Sequence, residues 1–290
     1  MTYFHHIGLI PDDFPNRTEL RAPRQLVLDA LADFGDDNPE AAMPSGALVD
    51  VLGDLGVGSA ASRAALSRLS RRGLLLSVKS GRTTSYRLPA GVRDGIKLMD
   101  EQVWQFGEHD REWDDAWTVV IFTLNEDMKS RSHQVRNQLR WLGFGPIRDG
   151  VWISPHAEID LTAETMSDLL GEQALMLRGT RTIGTVDLRR AWPIDEIENE
   201  YSTFIDRCRD TNYRLRAGHL SDVEALCERA DLLHLWRRFP IIDPDLPMIL
   251  LPGAWPRRRA REMFVTLMDA LEPLAKRRIQ KRLEPFGSAA

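Results

Sequence analysis

The chain has 290 residues, of which 43% are hydrophobic and 28% charged, the composition of a globular protein large enough for two or three domains. No run approaches the ~18 apolar residues of a membrane span, and the N-terminus lacks the basic and apolar regions of a signal peptide, which argues against membrane and exported proteins and for a cytoplasmic one. The formal net charge is −5, yet no acidic residue lies between Asp54 and Asp94, where eight arginines and lysines occur.

The N-terminal part of the chain predicts an irregular arm followed by two helices. Residues 1–20 contain several prolines and no hydrophobic period, which is typical of an irregular segment. Pro23 suits the first turn of a helix that reaches Phe34, and Ser45 is a candidate N-cap for a second helix that ends at Asp54.

Charge is sorted by position in this part of the chain. Residues 1–54 hold three basic and ten acidic residues, whereas residues 55–90 hold seven basic residues and no acidic one. A local field of one sign in an otherwise acidic protein indicates contact with a polyanion. A solvated basic surface has the same charge pattern, so the secondary structure that carries the charges decides between the two.

The basic segment begins with a third helix, predicted over Ser59–Arg72 with Ser59 as its N-cap. Arg63, Ser67 and Arg71 follow one another at intervals of four residues, so they share one face of this helix. That face is turned away from the apolar stripe around Leu66. The helix therefore presents a basic surface to the solvent.

A hairpin is predicted after the third helix, with strands Leu74–Val78 and Ser85–Leu88 and a turn over Lys79–Thr84. Three helices followed by a hairpin are the order of a winged helix-turn-helix, whose last helix enters the major groove while the hairpin contacts the backbone. The predicted DNA-binding residues are Ser59, Ser62, Arg63, Ser67, Arg68, Arg71, Arg72, Lys79, Arg82, Thr83 and Arg87. A winged helix that docks a protein instead is the alternative interpretation.

The middle of the chain predicts a small mixed domain, joined to the hairpin by an amphipathic helix over residues 90–115. The predicted elements are a strand Trp117–Leu124, a helix Ser130–Leu142, a strand that ends at Ile147, a turn at Asp149-Gly150, a strand Val151–Ser154, a helix Thr162–Leu170 and a strand Ala174–Arg178. The order β-α-β-β-α-β is that of a ferredoxin-like domain.

The last third of the chain predicts a helical domain. Its predicted segments are helices Ile194–Leu215 and Ser221–Phe239, a proline-rich turn Pro240–Pro256, a helix Arg257–Leu274 that Pro273 kinks or restarts, and a basic tail Lys276–Arg282. The tail could contact DNA, hold a dimer together or do neither. We therefore predict an α+β protein with an arm at 1–20, a winged helix at 21–90, a linker helix at 91–115, a ferredoxin-like domain at 116–186 and a helical C-terminal domain at 187–290.

Motifs spread over most of the chain point to one protein family. They are Arg63–Gly73, Gly81-Arg82, Ser85–Leu88, Trp117–Val120, Arg140–Gly145, Gly150–Pro155, Arg238–Pro247 and Leu250–Trp255. In this order they resemble the PaaX family of bacterial transcriptional repressors, named for phenylacetic acid degradation. The resemblance implies a winged helix, a ferredoxin-like middle domain similar to CRISPR-adaptation nucleases, and a helical C-terminal domain. It also implies a homodimer that represses catabolic genes and is released by an acyl-CoA, such as an aryl-acetyl-CoA.

An acyl-CoA effector would need arginines for its phosphates beside an aromatic or aliphatic cavity. The candidate effector-binding residues are Arg178, Arg181, Arg189, Arg190, Trp192, Trp255, Arg257 and Arg258. Each of these arginines could equally be a solvated or ion-paired surface residue, and the sequence does not rank them.

A metal-dependent nuclease is the alternative function, because the middle domain resembles a nuclease fold. Such nucleases place a metal-binding aspartate at the end of the first strand, where this chain has Asn125. Glu126 and Asp127 come next and could bind a metal, although acids are also favoured there by a helix dipole. Neither the histidines nor the cysteines, Cys208 and Cys227, show metal-ligand spacing, and reduced, unpaired thiols are the simplest interpretation. We therefore predict a DNA-binding regulator rather than an enzyme, without catalytic residues, metal or cofactor, which binds a near-palindromic double-stranded operator as a homodimer.

Overall fold

The computed structural model describes residues 22–35, 38, 40–123, 132–156, 174–179 and 187–287. The predicted arm, the predicted helix Thr162–Leu170 and the residues Glu126, Asp127 and Arg181 lie outside these ranges. The chain divides into two compact units, the first made of residues 1–104, 207–236 and 263–290 and the second of residues 105–206 and 237–262. No helix among the described residues is long and apolar enough to cross a membrane.

The first unit begins with three helices and a small antiparallel sheet. The elements are α1 (Pro23–Gly35), β1 (Met43–Pro44), α2 (Ser45–Asp54), α3 (Ser59–Arg71), β2 (Leu76–Ser80), β3 (Thr83–Arg87) and α4 (Ala90–Gln105). The sheet order is β1-β3-β2, and Ser80 pairs with Thr83 across the hairpin. The order of three helices and a hairpin is the one that the sequence predicts.

The predicted helix caps are wrong in detail. Ser45 and Ser59 are the first residues of α2 and α3, and the N-cap positions belong to Pro44 and Gly58, neither of which gives a side-chain hydrogen bond to its helix. The backbone of both residues is extended, with ψ near 137° at Pro44 and 146° at Gly58, and the helical conformation begins at the serine itself, so each helix starts one residue earlier than a serine cap requires.

The first strand of the hairpin, β2, begins two residues later than the sequence predicts. Gly73 has a φ of 71°, and the N–H of Leu74 donates to the carbonyl of Leu69, which closes the end of α3. Leu74 and Leu75 are consequently buried in the core rather than extended in a strand. The turn between the strands is only Gly81-Arg82, and Gly81 takes the positive φ of 58° that this tight connection requires.

The core of the first unit is completed from the C-terminal part of the chain. Three more helices are α6 (Ile194–Arg216), α7 (Asp222–Trp236) and α9 (Arg257–Leu283). The end of α6 from residue 207, all of α7 and the part of α9 from residue 263 belong to the first unit. Leu226, Ala275 and Ile279 are buried in the same hydrophobic cluster as the side chains of α1, α2 and α3. The three N-terminal helices therefore do not enclose their own core.

Three predicted helices have different ends in the structure. Helix α9 continues through Pro273 to Leu283, so the basic tail is part of one helix rather than a separate segment. The predicted helix Ser221–Phe239 ends at Trp236, and a separate four-residue helix α8 follows over Phe239–Ile242. The predicted linker helix over residues 90–115 also ends early, at Gln105.

The second unit is built on a four-stranded sheet. Its strands are β4 (Trp117–Phe122), β5 (Gly145–Arg148), β6 (Val151–Ser154) and β7 (Ala174–Gly179), with α5 (Ser132–Trp141) between β4 and β5. The strand order is β5-β6-β4-β7 and all pairs are antiparallel. Val120, Phe122 and Trp152 of the sheet pack against Val135 and Leu139 of α5 to form its core.

Gly150 holds the β5–β6 hairpin against the end of β4. It follows Asp149 in the two-residue turn, has a φ of 69°, and accepts a hydrogen bond of 2.9 Å from the N–H of Phe122. A Cβ at this position would collide with the carbonyl oxygen of Phe122. Only glycine fits both the backbone conformation and this close approach.

Candidate nucleic-acid interface

The exposed face of α3 lies opposite its buried face. Ser62, Ala65, Leu66 and Leu69 are buried, and at 100° per residue they cover one side of the helix. The other side carries side chains of two kinds. Exposed small residues are Ala60, Ala61, Ala64 and Ser67, and exposed arginines are Arg63, Arg68, Arg71 and Arg72. Small side chains flanked by long cationic ones let a helix approach a polyanion closely while still reaching it with charge.

The tip of the β2–β3 hairpin extends this basic surface. Lys79, Arg82 and Thr83 are exposed beside the turn. We call Arg63, Arg68, Arg71, Arg72, Lys79 and Arg82 the basic surface. None of these six cations has an ion-pair partner among the residues that the structure describes. Their charge is therefore not neutralised within the described part of the molecule.

Two of the predicted DNA-binding residues lie apart from the basic surface. Ser62 is fully buried, and its hydroxyl donates to the carbonyl of Gly58, 3.1 Å away, inside the helix. Arg87 is paired with Glu40 at 3.2 Å and its side chain is 25% exposed. The exposed residue Ser59 lies at the start of α3 beside the free N–H groups of the first turn.

A carboxylate at the end of α2 is bound by two arginines of α9. Asp54, the last residue of α2, accepts hydrogen bonds of 2.6–2.9 Å from the Nε and Nη2 groups of both Arg278 and Arg282. Burial alone would raise the pKa of Asp54, but the hydrogen bonds from Arg282 and Arg278 outweigh it and lower that pKa to about 2. We call these three residues the Asp54 clamp.

The remaining cations of the predicted basic tail are also paired inside the first unit. Arg277 and Lys281 both contact Asp222, at 3.1 and 2.7 Å, and Lys276 contacts Glu272 at 2.7 Å. The tail therefore differs from the basic surface, although the two have similar compositions. Its ion pairs join α9 to α2 through Asp54 and to α7 through Asp222, and Lys276 pairs within α9 itself.

Three of the candidate effector-binding residues form ion pairs within the second unit. Arg178 donates to Asp114, to the hydroxyl of Thr118 and to the carbonyl of His156, at 2.6, 2.8 and 3.0 Å. Arg189 pairs with Asp187 at 2.8 Å, and Arg258 pairs with Asp110 at 2.8 Å.

The other candidates are mainly buried. Arg257 is only 3% exposed and binds Asp243 and Asp245, and the hydroxyl of Tyr201 also donates to Asp243, at 2.6 Å. Trp255 is buried against Tyr201, with ring centroids 5.9 Å apart. Trp192 is buried too and donates through its indole nitrogen to the carbonyl of Gly143. Arg190 is exposed.

A cleft of about 510 Å³ in the second unit is lined by none of these candidates. Its lining includes Arg136 and Arg140 of α5, Arg148 and Asp149 of the β5–β6 hairpin, and Phe122 and Trp152 of the sheet. The sequence predicts a helix over Ser130–Leu142, which contains Arg136 and Arg140, but it does not by itself connect these residues with Arg148. Their spacing of four residues, followed closely by a hairpin that carries another arginine, is the signal that could have identified the cleft.

The described residues contain no group of three or more histidine, cysteine or acidic side chains that could hold a metal ion. Cys208 and Cys227 are free thiols, and burial raises the pKa of Cys208 to about 12. Such a pKa keeps this thiol protonated and unreactive at neutral pH.

Known proteins and protein-family models match most of the chain. Models for a PaaX-like protein, for the PaaX protein central Cas2-like domain and for the PaaX-like protein C-terminal domain match residues 23–92, 110–190 and 192–281. The chain is 27% identical over 241 residues to a protein named transcriptional repressor PaaX from Escherichia coli strain K12, a match that covers 79% of this chain and 74% of that protein.

A solved structure has the same fold. It is an uncharacterised protein, Rv0674, from Mycobacterium tuberculosis, with a TM-score of 0.60 and 22% identity, and the match covers 90% of this chain and 99% of that one. Three domain models of one family follow one another from residue 23 to residue 281, and a repressor of that family matches across them. The chain therefore belongs to the PaaX family.

Proposed function

We propose that this protein is a DNA-binding transcriptional repressor in which α3 enters the major groove and the β2–β3 hairpin contacts the phosphate backbone. The observation that carries the proposal is the basic surface, six exposed cations that have no ion-pair partner among the described residues. Other arginines of the same unit, such as Arg278 and Arg282, are paired with carboxylates. Unpaired, exposed cations around small side chains are what binding to a polyanion requires.

The architecture supports the same proposal. Helices α1, α2 and α3 followed by a hairpin are consistent with a winged helix-turn-helix. In the second unit, the antiparallel order β5-β6-β4-β7 with α5 after β4 is consistent with a ferredoxin-like domain. The relative from Escherichia coli is named a transcriptional repressor, and that role is the one that we extend to this chain.

A homodimer bound to a near-palindromic operator is part of the proposal. One α-helix reads only a few base pairs, so two copies on two half-sites multiply the specificity. A small-molecule effector, proposed to be an acyl-CoA such as an aryl-acetyl-CoA, would release the DNA by favouring a spacing of the two reading helices that does not fit the operator. This effector must bind the released arrangement more tightly than the DNA-bound one, because otherwise it shifts no population.

Fluorescence anisotropy tests the proposal directly. The full chain is titrated onto a labelled duplex from the region upstream of its own gene and onto a scrambled duplex, at two salt concentrations. We expect selective binding to the upstream duplex that weakens steeply with salt, because cations that neutralise phosphates release condensed counterions. Equal and weak binding to both duplexes would contradict a sequence-specific regulator.

A substitution on the hairpin separates backbone contacts from base contacts. Lys79→Ala is expected to weaken binding to both duplexes by a similar factor and to reduce the slope of log K against log salt by about one. Arg216→Ala is the matched control, because Arg216 is an exposed arginine in the same unit outside the basic surface. An unchanged slope in Lys79→Ala would remove the hairpin tip from the interface.

A further inference from the structure

The cleft of the second unit has a net positive lining. It borders three arginines, Arg136, Arg140 and Arg148, and one carboxylate, Asp149. None of the three arginines has an ion-pair partner among the described residues. Counted over the described residues, three positive groups and one negative group give the lining a net charge of +2. The lining thus has the sign that attracts an anion.

The fold brings these like charges close together, and their repulsion is unfavourable. Arg136 and Arg140 lie one turn apart on α5, and like charges at this spacing destabilise a helix. Arg140 is turned onto the ring of Trp152, with its guanidinium carbon 5.6 Å from the ring centroid, and has a long hydrogen bond of 3.5 Å to Asn137. A bound anion would relieve the repulsion and give the guanidinium groups charge-assisted hydrogen bonds.

The shape of the cleft suits a small molecule. Its volume of about 510 Å³ falls within the ~300–1,000 Å³ that is usual for ligand sites. The lining also includes the aromatic residues Phe122 and Trp152 and the apolar residues Pro146 and Ile147. A ligand that combines several negative charges with an apolar group would therefore use both parts of the lining.

We propose that this cleft binds a multiply charged organic phosphate, with its phosphate groups held by Arg136, Arg140 and Arg148 and an apolar group packed against Pro146 and Ile147. If the protein is an effector-released repressor, as proposed above, the cleft is its effector site, and this second statement rests on that proposed function. Phosphate fits the site because a guanidinium group can donate two parallel hydrogen bonds to its oxygens.

Calorimetric titration of the full chain without DNA tests the cleft by itself. The probes are coenzyme A and phenylacetyl-coenzyme A, which carry phosphates, and phenylacetate, which carries none. We expect both coenzyme A compounds to bind and phenylacetate not to bind. Arg136→Gln and Arg148→Gln should each weaken coenzyme A binding about tenfold or more, the effect of losing a charge-assisted hydrogen bond.

Arg259→Gln is the matched control, since Arg259 is an exposed arginine of the same unit that does not line the cleft. All three substituted side chains are exposed, and thermal unfolding of each variant checks that the fold is kept. Absence of coenzyme A binding to the unsubstituted chain would overturn the proposal. Equal losses in the cleft variants and in Arg259→Gln would also overturn it.

Anisotropy on the upstream duplex then separates the two proposals. If the chain binds coenzyme A through the cleft but binds no duplex selectively, the proposed phosphate-binding site is supported and the proposed repressor function is wrong. If DNA is bound and phenylacetyl-coenzyme A releases it from the unsubstituted chain but not from Arg148→Gln, the cleft is the effector site. If the cleft variants lose DNA affinity while coenzyme A does not bind, the cleft is part of the nucleic-acid surface and the proposal is wrong.

Discussion

Individual arginines of this chain have opposite roles that depend on their neighbours. Arg63 is exposed on α3 with no ion-pair partner among the described residues, whereas Arg257 is buried between two carboxylates. Composition does not distinguish them, because both are arginines in polar stretches. The difference comes from what the fold places within hydrogen-bond distance.

Substitution of Arg63 tests the assignment of the reading face. Arg63→Ala should cost about 1–3 kcal/mol of binding free energy to the upstream duplex if the side chain contacts a base, with a smaller loss on the scrambled duplex. Competition anisotropy measures both affinities, with Arg216→Ala as the control for charge. A loss of equal size in Arg63→Ala and Arg216→Ala would show that only net charge matters.

Substitution of Gly150 tests the close approach of the hairpin to β4. Gly150→Ala should destabilise the protein by about 1–3 kcal/mol, because the new Cβ meets the carbonyl of Phe122 and the positive φ of 69° is strained for alanine. Gly91→Ala is the control, since Gly91 lies in α4 with open space around it. Chemical denaturation should show that Gly91→Ala is neutral or slightly stabilising.

At the scale of elements, part of the fold is predictable from the sequence because it depends on local signals. The hydrophobic period of α3, the Asp149-Gly150 turn and most of the order of helices and strands follow from nearby residues, although β1 and α8 are not predicted. The start of β2 does not, because Leu74 and Leu75 look like strand residues yet are buried after the turn at Gly73. Apolar character alone does not distinguish a strand from a buried turn.

The candidate site is predictable to a similar extent. The absence of acidic residues and the four-residue spacing on α3 together predict a basic face. The prediction of Ser62 as a DNA-binding residue is wrong, because Ser62 lies four residues before Leu66 and is buried on the same side of α3. The Asp54 clamp could not be predicted, because Asp54 and Arg278 are 224 residues apart and meet only through tertiary packing. The cleft is a different case, because Arg136, Arg140 and Arg148 are close in sequence and only their placement on a helix and a hairpin that face one cleft is not evident from the sequence.

The Asp54 clamp predicts a pH dependence. The pKa of Asp54 in the folded chain is about 2, below its usual 3.8, so the clamp's stabilisation is present above about pH 4 and is lost as the pH falls towards 2. At neutral pH Asp54→Asn should lower the free energy of unfolding by about 2 kcal/mol, since two arginines lose a charged acceptor. Urea denaturation should show the difference between the two proteins shrinking between pH 4 and pH 2. A difference that stays constant over this range would mean that the carboxylate charge is not what stabilises the contact.

At the scale of the whole molecule, the helices that carry the basic surface depend on distant parts of the chain. Their hydrophobic cluster includes Leu226, Ala275 and Ile279. Burial of such side chains contributes about 1.5–3 kcal/mol each for the larger ones. The continuous segment that carries α1 to α4 is therefore incomplete by itself, although the sequence suggests a separate N-terminal domain.

A fragment tests this dependence. Residues 22–104 expressed alone should unfold at a lower temperature, or without a cooperative transition, compared with the full chain. Circular dichroism during heating measures both, and restoring residues 207–290 in the same chain is the comparison. A fragment that unfolds as cooperatively and at as high a temperature as the full chain would show that the contributed side chains are dispensable.

The Asp54 clamp also restricts which substitutions this protein can tolerate in evolution. One carboxylate serves two guanidinium groups, so losing Asp54 leaves two neighbouring cations without an acceptor, while losing one arginine leaves the other contact in place. The tolerated order of change is therefore the loss of Arg278 or Arg282 first and of Asp54 last. Among descendants of this chain, positions 54, 278 and 282 should covary, even though they lie near opposite ends of the sequence.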